Sequence, residues 1–305
     1  MRPAFSVLFL TTLIGVGQGL FITLFLCELI APGWLTHEFM IGGAVLVLIF
    51  SGLGGISSVF HLGHPERAWR AMTMWRTSWL AREGIALPSF MAAVFAYGLA
   101  HWTGFGNTLI IGTVGVLLAI ALYVCTGMIY GAIKVLKEWA HPMTLVNFIV
   151  LGCASGTTLA AAYASLAAPA YASPELVAPL AQAAIAWTVL GMLTRGASMW
   201  RNATLRPVST LQTAIGIRHP HIVQKSQGSM GGSFNTREFF HGKSPAFVRG
   251  VMVTMVLGAF VLPLFLVLAV PLLAFVVQYV GLLAERWYFF AEAQHPQNLY
   301  YQGKS

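Results

Sequence analysis

The chain has 305 residues, of which 57% are hydrophobic and 9% are charged, and its formal net charge is +8 at pH 7. Soluble domains carry about 25% charged residues, so this composition excludes an ordinary soluble protein and predicts an integral membrane protein. The apolar runs are continuous and do not alternate with polar residues, which favours membrane-spanning helices over a β-barrel.

Eight apolar stretches are long enough to cross a membrane, which takes about 20 helical residues. The first six are residues 5–27, 39–60, 84–100, 109–132, 143–168 and 176–194. Residues 250–284 contain no charge, but one helix over them would be roughly 52 Å long. We therefore predict two spans that turn near Pro271, the second continuing to about Phe290. The predicted fold class is all-α: a polytopic membrane helical bundle of eight transmembrane helices, in a single domain over residues 1–305.

The basic residues fall on one side of these spans. All 17 Lys and Arg lie at the N-terminus, in the connections after spans two, four and six, or in the C-terminal tail. The positive-inside rule therefore predicts that both termini and these three connections face the cytoplasm. Topology and anionic lipid explain the net charge, so membrane lipid is an expected partner and nucleic acid is not.

The sequence offers no site for a redox metal. Cys27, Cys125 and Cys153 lie in separate spans without a CxxC pair, which argues against an iron–sulfur cluster or zinc. The histidines lie at span ends or in loops, so no mid-membrane pair is available for haem. We predict no metal site, haem, iron–sulfur cluster or molybdenum in this chain, which could bind a small redox carrier.

Two ionisable residues bracket the connection between spans two and three. His61 ends span two and Glu83 opens span three. Ionisable residues at membrane depth are costly and often functional, and a histidine with a carboxylate could hold a quinone and supply the protons for its reduction. Taken singly, His61 is also compatible with a position among lipid headgroups, and Glu83 with a favourable acid in the first turn of a helix.

The connection between these two residues predicts an interfacial helix over residues 65–80. Trp69, Met72, Trp75 and Trp79 recur near helical spacing with arginines between them. This pattern is typical of a helix that lies flat at a membrane surface. An interfacial anchor without a further role is the alternative.

Three further segments have predicted contacts. Gln18 lies mid-span between Gly17 and Gly19, where its amide could bond a ligand or only a neighbouring helix. Residues 152–156 are small and suit close helix packing. The connection 195–249 holds eight of the 17 basic residues, which predicts a cytoplasmic docking loop for an acidic partner.

Residues 61–63 and Pro65 after one span, with Glu83 at the start of the next, resemble the membrane anchor of the dimethyl sulfoxide reductase family. Within that family, several segments look most like the branch that serves cytoplasmic sulfite-oxidising molybdoenzymes. These segments are residues 65–69, 75–79, 231–240 and 295–302, the last of which is assigned no role.

The resemblance implies a three-part complex at the bacterial cytoplasmic (inner) membrane. A molybdopterin catalytic subunit handles the substrate, and a cytoplasmic, four-cluster, ferredoxin-like iron–sulfur subunit transfers electrons. The anchor then exchanges these electrons with a quinone, either ubiquinone or menaquinone. In the family, the residues that match His61 and Glu83 belong to the quinol site. Because the basic connections are predicted to be cytoplasmic, oxidation of an internal substrate such as sulfite is favoured.

These observations combine into a hypothesis of quinone chemistry at the cytoplasmic face. The predicted site residues are His61 and Glu83 for proton transfer, with Gln18, His64, Arg67 and Arg82 for binding. Three alternatives stay open: the anchor of a dimethyl sulfoxide-type reductase that oxidises menaquinol, a small-molecule transporter, and an anchor without a quinone site. The sequence shows no mid-span charge or inverted repeat of the kind that would favour a transporter.

Overall fold

The computed structural model describes residues 2–60, 64–206, 210–222 and 241–296. Within these residues, eight helices are long and apolar enough to span a membrane, which confirms the predicted fold class. In chain order they are α1 (Phe5–Ile30), α2 (His37–Val59), α3 (Trp79–Thr103), α4 (Thr108–Gly131), α5 (Pro142–Tyr171), α6 (Val177–Thr204), α7 (Pro245–Ala269) and α8 (Pro271–Glu292).

Polar side chains fix where several spans begin. Thr36, Ser78, Asn107 and Ser244 precede α2, α3, α4 and α7, and each side-chain oxygen accepts a hydrogen bond from the backbone N–H three residues later. These caps satisfy amide groups that have no partner in the first turn of a helix. At its other end α3 stops at Gly104, whose φ of 67° is a left-handed conformation that glycine adopts without strain.

The last two spans are separated at a proline, because α7 ends at Ala269, Val270 is non-helical and α8 starts at Pro271, which confirms the predicted turn. Inside α7, Val256–Val261 form a π-helical segment just before Pro263. Pro263 has no backbone N–H to donate to the carbonyl of Ala259, four residues earlier. The side-chain amide of Gln278 in α8 donates to that carbonyl at 3.4 Å, so α8 compensates for the interruption.

Glycine allows α1 and α5 to cross closely. Gly19 lies against Gly152, and Gly156 lies against the backbone at Gly19, so that a Cβ on Gly19 or Gly156 would overlap backbone atoms of the other helix. This contact confirms the packing face predicted for residues 152–156. Because α1 also packs against α2, α4 and α8, Gln18 in its middle is enclosed by protein and is 1% exposed.

Two of the three basic connections, those after spans two and six, differ in detail from their predicted forms. Pro65–Met74 form a 3-10 helix and α3 starts at Trp79, so the residues predicted as one interfacial helix are divided by a turn. Helix α6 continues beyond the predicted end of span six, residue 194, to Thr204, and a short helix follows at Leu211–Ile215. The first ten residues of the 195–249 connection are therefore helical.

Candidate functional site

Of the predicted site residues in the connection before α3, His64 and Arg67 make their polar contacts with a residue other than Glu83. His61 lies outside the described residues. His64 and Arg67 are exposed and both approach the carboxylate of Glu66, with His64 Nδ1 at 3.0 Å and Arg67 Nε at 3.7 Å from the same Oε1. Within the described part of the chain, neither residue contacts Glu83.

Arg82 fastens the aromatic segment to the start of α3. Its Nε donates to the carbonyl of Trp75 and its Nη2 to the carbonyl of Arg76, each at 2.8 Å. The guanidinium also lies 4.2 Å from the centroid of the Trp79 ring, a cation–π contact. These contacts fix the backbone immediately before Glu83, so Arg82 positions the next residue whatever else it binds.

Glu83 is 6% exposed and lies four residues into α3. It accepts a hydrogen bond of 2.5 Å from the hydroxyl of Thr126, near the end of the neighbouring α4. Among the described residues, Thr126 is its one hydrogen-bond partner. The sequence does not single out Thr126, because a threonine in an apolar span commonly bonds only the carbonyls of its own helix.

Gln18 makes the second of its two predicted contacts, since its Nε2 donates to the carbonyl of Ala119 in α4 at 2.7 Å. It also lines a cavity of about 10 Å³ that touches Thr126. The remaining lining residues are Thr11, Thr12, Gly15, Tyr123, Phe148, Gly152, Leu282 and Arg286. Four helices, α1, α4, α5 and α8, therefore enclose a small space that polar and apolar residues line together, and Thr126, the partner of Glu83, is one of them.

Buried ion pairs join α6 and α8 at the same end of the bundle. Arg195 Nε lies 2.8 Å from Glu285 Oε1, and Arg195 Nη2 lies 3.2 Å from Glu292 Oε2. Arg286 Nε lies 3.6 Å from Glu285 Oε2, and the side chains of Arg195, Glu285 and Arg286 are at most 3% exposed. Two arginines and two glutamates balance in charge, which lowers the cost of burying them.

This cluster corrects the expectation that span six ends before Arg195. The sequence predicts Arg195 in the loop after span six, whereas the structure places it inside α6, and Arg286 lies within α8, whose predicted span continues to about Phe290. The spacing of Glu285 and Glu292 offers a signal, because residues seven apart share a helix face. Ion pairing removes the electrostatic reason for ending span six at residue 194, and α6 continues.

A second polar cluster lies at the opposite end of the bundle, where α1 and α3 end and α2 and α4 begin. Glu28 accepts hydrogen bonds from the hydroxyls of Tyr97 and Thr108, the latter at 2.8 Å, and His101 Nε2 lies 3.4 Å away. The other ring nitrogen of His101 lies 2.9 Å from His37 Nδ1. The sequence does not bring these residues together, because they come from four different spans.

A larger cavity of about 470 Å³ lies between α1, α7 and α8. Its lining residues are Phe5, Leu8, Phe9, Phe247, Gly250, Val251, Thr254, Leu283, Ala284 and Trp287. No ionisable side chain is among them, so this cavity can hold an apolar chain but cannot exchange protons with it. The chemistry of the Glu83 region is therefore not available there.

Comparison with known proteins identifies the family. Residues 1–285 match the family model described as DMSO reductase anchor subunit (DmsC). The chain belongs to this DmsC family. It is also 48% identical, over 329 aligned positions that cover 99% of each chain, to the C subunit of sulfite dehydrogenase from Allochromatium vinosum. The predicted resemblance is confirmed, and the DmsC-family chain is a multi-pass membrane protein.

The chemistry open to this DmsC-family chain follows from its side chains. In the described residues, no group of three or more His, Cys or Glu could hold a metal ion. A buried carboxyl with a single neutral donor can bind a hydrogen-bonding ligand or exchange a proton with it, because its other lone pairs are uncommitted. The residues around Glu83 therefore fit a neutral carrier that needs protons, such as a quinone. The segment 231–240, which carries part of the resemblance, lies outside the described residues.

Proposed function

We propose that this chain is the quinone-reactive membrane anchor of a sulfite-oxidising complex. It would pass electrons between a cytoplasmic iron–sulfur subunit and the quinone pool of the bacterial inner membrane. The observation that carries the proposal is the buried Glu83 carboxyl, held by Thr126 alone among the described residues. The 48% identical relative is named as part of a sulfite dehydrogenase, which supports sulfite as the substrate of the complex.

The proposed partners are a ferredoxin-like iron–sulfur subunit with four clusters and a molybdopterin catalytic subunit. The segment over residues 65–82 offers them a surface, because Arg70 and Arg76 are exposed beside Trp69 and Trp75. Such a mixture of arginine and aromatic side chains is typical of protein interfaces and of membrane surfaces. We expect the acidic residues of an iron–sulfur subunit to pair with these arginines.

In the proposed site, Glu83 holds and transfers a proton, and Thr126 orients its carboxyl. A quinone takes up two protons with two electrons when it is reduced. His61, one connection away in sequence, is the proposed second polar contact, and Arg82 keeps the backbone before Glu83 in place. His64 and Arg67 are proposed to face the entrance, and Gln18 to support α4 from behind. Because both termini and the basic connections are proposed to be cytoplasmic, these protons would come from the cytoplasm.

The second candidate is the anchor of a dimethyl sulfoxide-type reductase that oxidises menaquinol, which the family description favours. The two functions differ in the catalytic partner and in the direction of electron flow. A transporter is disfavoured, because the charges buried in α6 and α8 pair with one another and leave no net charge for a substrate.

The proposal is tested with the complex purified from native membranes in mild detergent. We expect Glu83→Gln to lower sulfite oxidation coupled to quinone by about 10²-fold or more, since it removes a general acid–base group. Sulfite oxidation with an artificial electron acceptor should stay at the wild-type rate, because that route bypasses the anchor.

The matched control is Glu175→Gln, which changes an exposed glutamate in the connection between α5 and α6. It should leave both activities unchanged. If Glu83→Gln keeps its quinone-coupled activity, the chain is an anchor without a quinone site at Glu83. If the purified complex reduces dimethyl sulfoxide but does not oxidise sulfite, the second candidate replaces the first.

A further inference from the structure

Arg286 is buried in α8 with part of its guanidinium unused. It is 3% exposed and packs its Cζ 3.8 Å from the centroid of the Phe148 ring. Its Nε lies 3.6 Å from Glu285 Oε2 in the ion pair described above, and its Nη1 has no hydrogen-bond partner in the part of the chain that the structure describes. A buried donor on a charged group is costly to leave unpaired, so an unseen partner is expected beside it.

The cavity next to Arg286 has the size and lining of a site for one water. Its volume of about 10 Å³ lies at the lower limit for holding a single molecule, roughly 10–15 Å³. A buried water also needs two to four polar neighbours. Arg286, Thr126, Gln18 and Tyr123 all line the cavity and can supply them.

We propose that this cavity holds one buried water, which connects Arg286 to Thr126 and makes both of them positioning residues for Glu83. The inference rests on the proposed function of Glu83. Thr126 donates its only hydroxyl hydrogen to Glu83, so towards the cavity its oxygen can only accept. Arg286 can only donate. The water therefore accepts from Arg286 and donates to Thr126.

The three hydrogen bonds of this series all have the same donor-to-acceptor direction, from the guanidinium through the water and the hydroxyl to the carboxyl. Hydrogen bonds in such a series polarise and strengthen one another in a low-dielectric interior. The charge of Arg286 thus acts on Glu83 without direct contact. This series of hydrogen bonds orients the Glu83 carboxyl before a ligand arrives, and the second carboxyl oxygen stays available to that ligand.

Two substitutions interrupt the series of hydrogen bonds in different ways. Thr126→Val keeps the shape of the side chain but removes the hydroxyl. Gly15→Ala keeps every polar group and adds a methyl to a buried residue of the cavity lining, where its Cβ would meet only Gly152 Cα at 3.8 Å. That methyl would fill the space proposed for the water. Thr126→Ser restores the hydroxyl and is the matched control.

The test measures sulfite oxidation coupled to quinone in the purified complex, together with thermal stability. We expect Thr126→Val and Gly15→Ala each to lower kcat about tenfold, the effect of one lost hydrogen bond, with little change in KM for quinone. Thr126→Ser should restore kcat. The infrared carboxyl band assigned to Glu83, by its loss in Glu83→Gln, should shift in both damaging variants and return in Thr126→Ser.

Wild-type kcat and an unshifted band in either Thr126→Val or Gly15→Ala would overturn the proposal. Glu83→Gln, measured alongside, separates this failure from that of the proposed function. If Glu83→Gln is inactive with quinone while the other variants are normal, only the water chain is wrong. If Glu83→Gln is itself active, the proposed quinone site fails, and the water chain fails with it.

Discussion

Glu83 and Glu28 are glutamates at opposite ends of the bundle, and their surroundings differ in one decisive respect. Glu28 is 11% exposed in its side chain and is held by the hydroxyls of Tyr97 and Thr108 and by the ring of His101. Glu83 is more deeply buried, yet among the described residues it has Thr126 as its one hydrogen-bond partner.

The difference separates a structural carboxylate from an available one. The partners of Glu28 come from α3 and α4, and His101 extends the contact to His37 at the start of α2, so the cluster ties four helices together. With two hydroxyl donors and the His101 ring beside it, the Glu28 carboxylate has fewer free lone pairs for a ligand than Glu83 has. The single donor of Glu83 fixes its orientation and leaves lone pairs free, which is what a proton-exchanging site needs.

The largest effect on stability is expected at the ion pairs of α6 and α8, where a substitution leaves a buried charge without its counter-charge. Substitution of Glu83 or Glu28 by glutamine removes a charge and does not have this consequence. Arg195→Ala leaves Glu285 and Glu292 against Arg286, one negative charge in excess inside the bundle. We expect the free energy of unfolding to fall by about 3–5 kcal/mol. Thermal unfolding in detergent measures this loss.

Arg249→Ala is the control, because Arg249 is exposed on α7. Its unfolding temperature should match the wild type. An Arg195→Ala protein as stable as this control would show that the ion pairs of α6 and α8 do not support the fold.

A smaller effect on stability, with none on quinone chemistry, is expected at the other end. Glu28→Gln removes the charge that strengthens three contacts, and the free energy of unfolding should fall by about 1.5–3 kcal/mol. Quinone-coupled sulfite oxidation per folded complex should stay at the wild-type level. Unfolding temperature and turnover are measured on the same preparation.

Tyr97→Phe is a milder variant of the same cluster, because it removes one hydrogen-bond donor and keeps the Glu28 carboxylate. Its loss of stability should be smaller than that of Glu28→Gln. If Glu28→Gln instead abolishes quinone turnover in a folded complex, the contrast between the two glutamates is wrong and the far end contributes to the chemistry.

The sequence predicts the parts of this molecule that depend on one helix at a time. Span positions, the turn at Pro271 and the small-residue face of α5 follow from hydrophobic length, proline chemistry and local spacing. The contact of Arg195 with Glu292 joins residues 97 apart in the chain, so it depends on which helices are neighbours.

The candidate site could likewise be predicted from the sequence only in part. Glu83 is distinguished by its charge in an apolar span, but Thr126 carries no such signal, because apolar spans commonly contain threonine. The Glu28 cluster is hidden for a related reason: each of its members ends or begins a span, where polar residues are ordinary. Only the order of the helices brings His37, His101 and Glu28 together.

Attachment of a photoreactive quinone to the purified complex tests the proposed location of the site most directly. After illumination and proteolysis, we predict labelled peptides from the start of α3 and the end of α4, around Glu83 and Thr126. An excess of unmodified quinone should suppress this labelling. Labelling confined to the opposite end, around Glu28 and His101, would contradict the account.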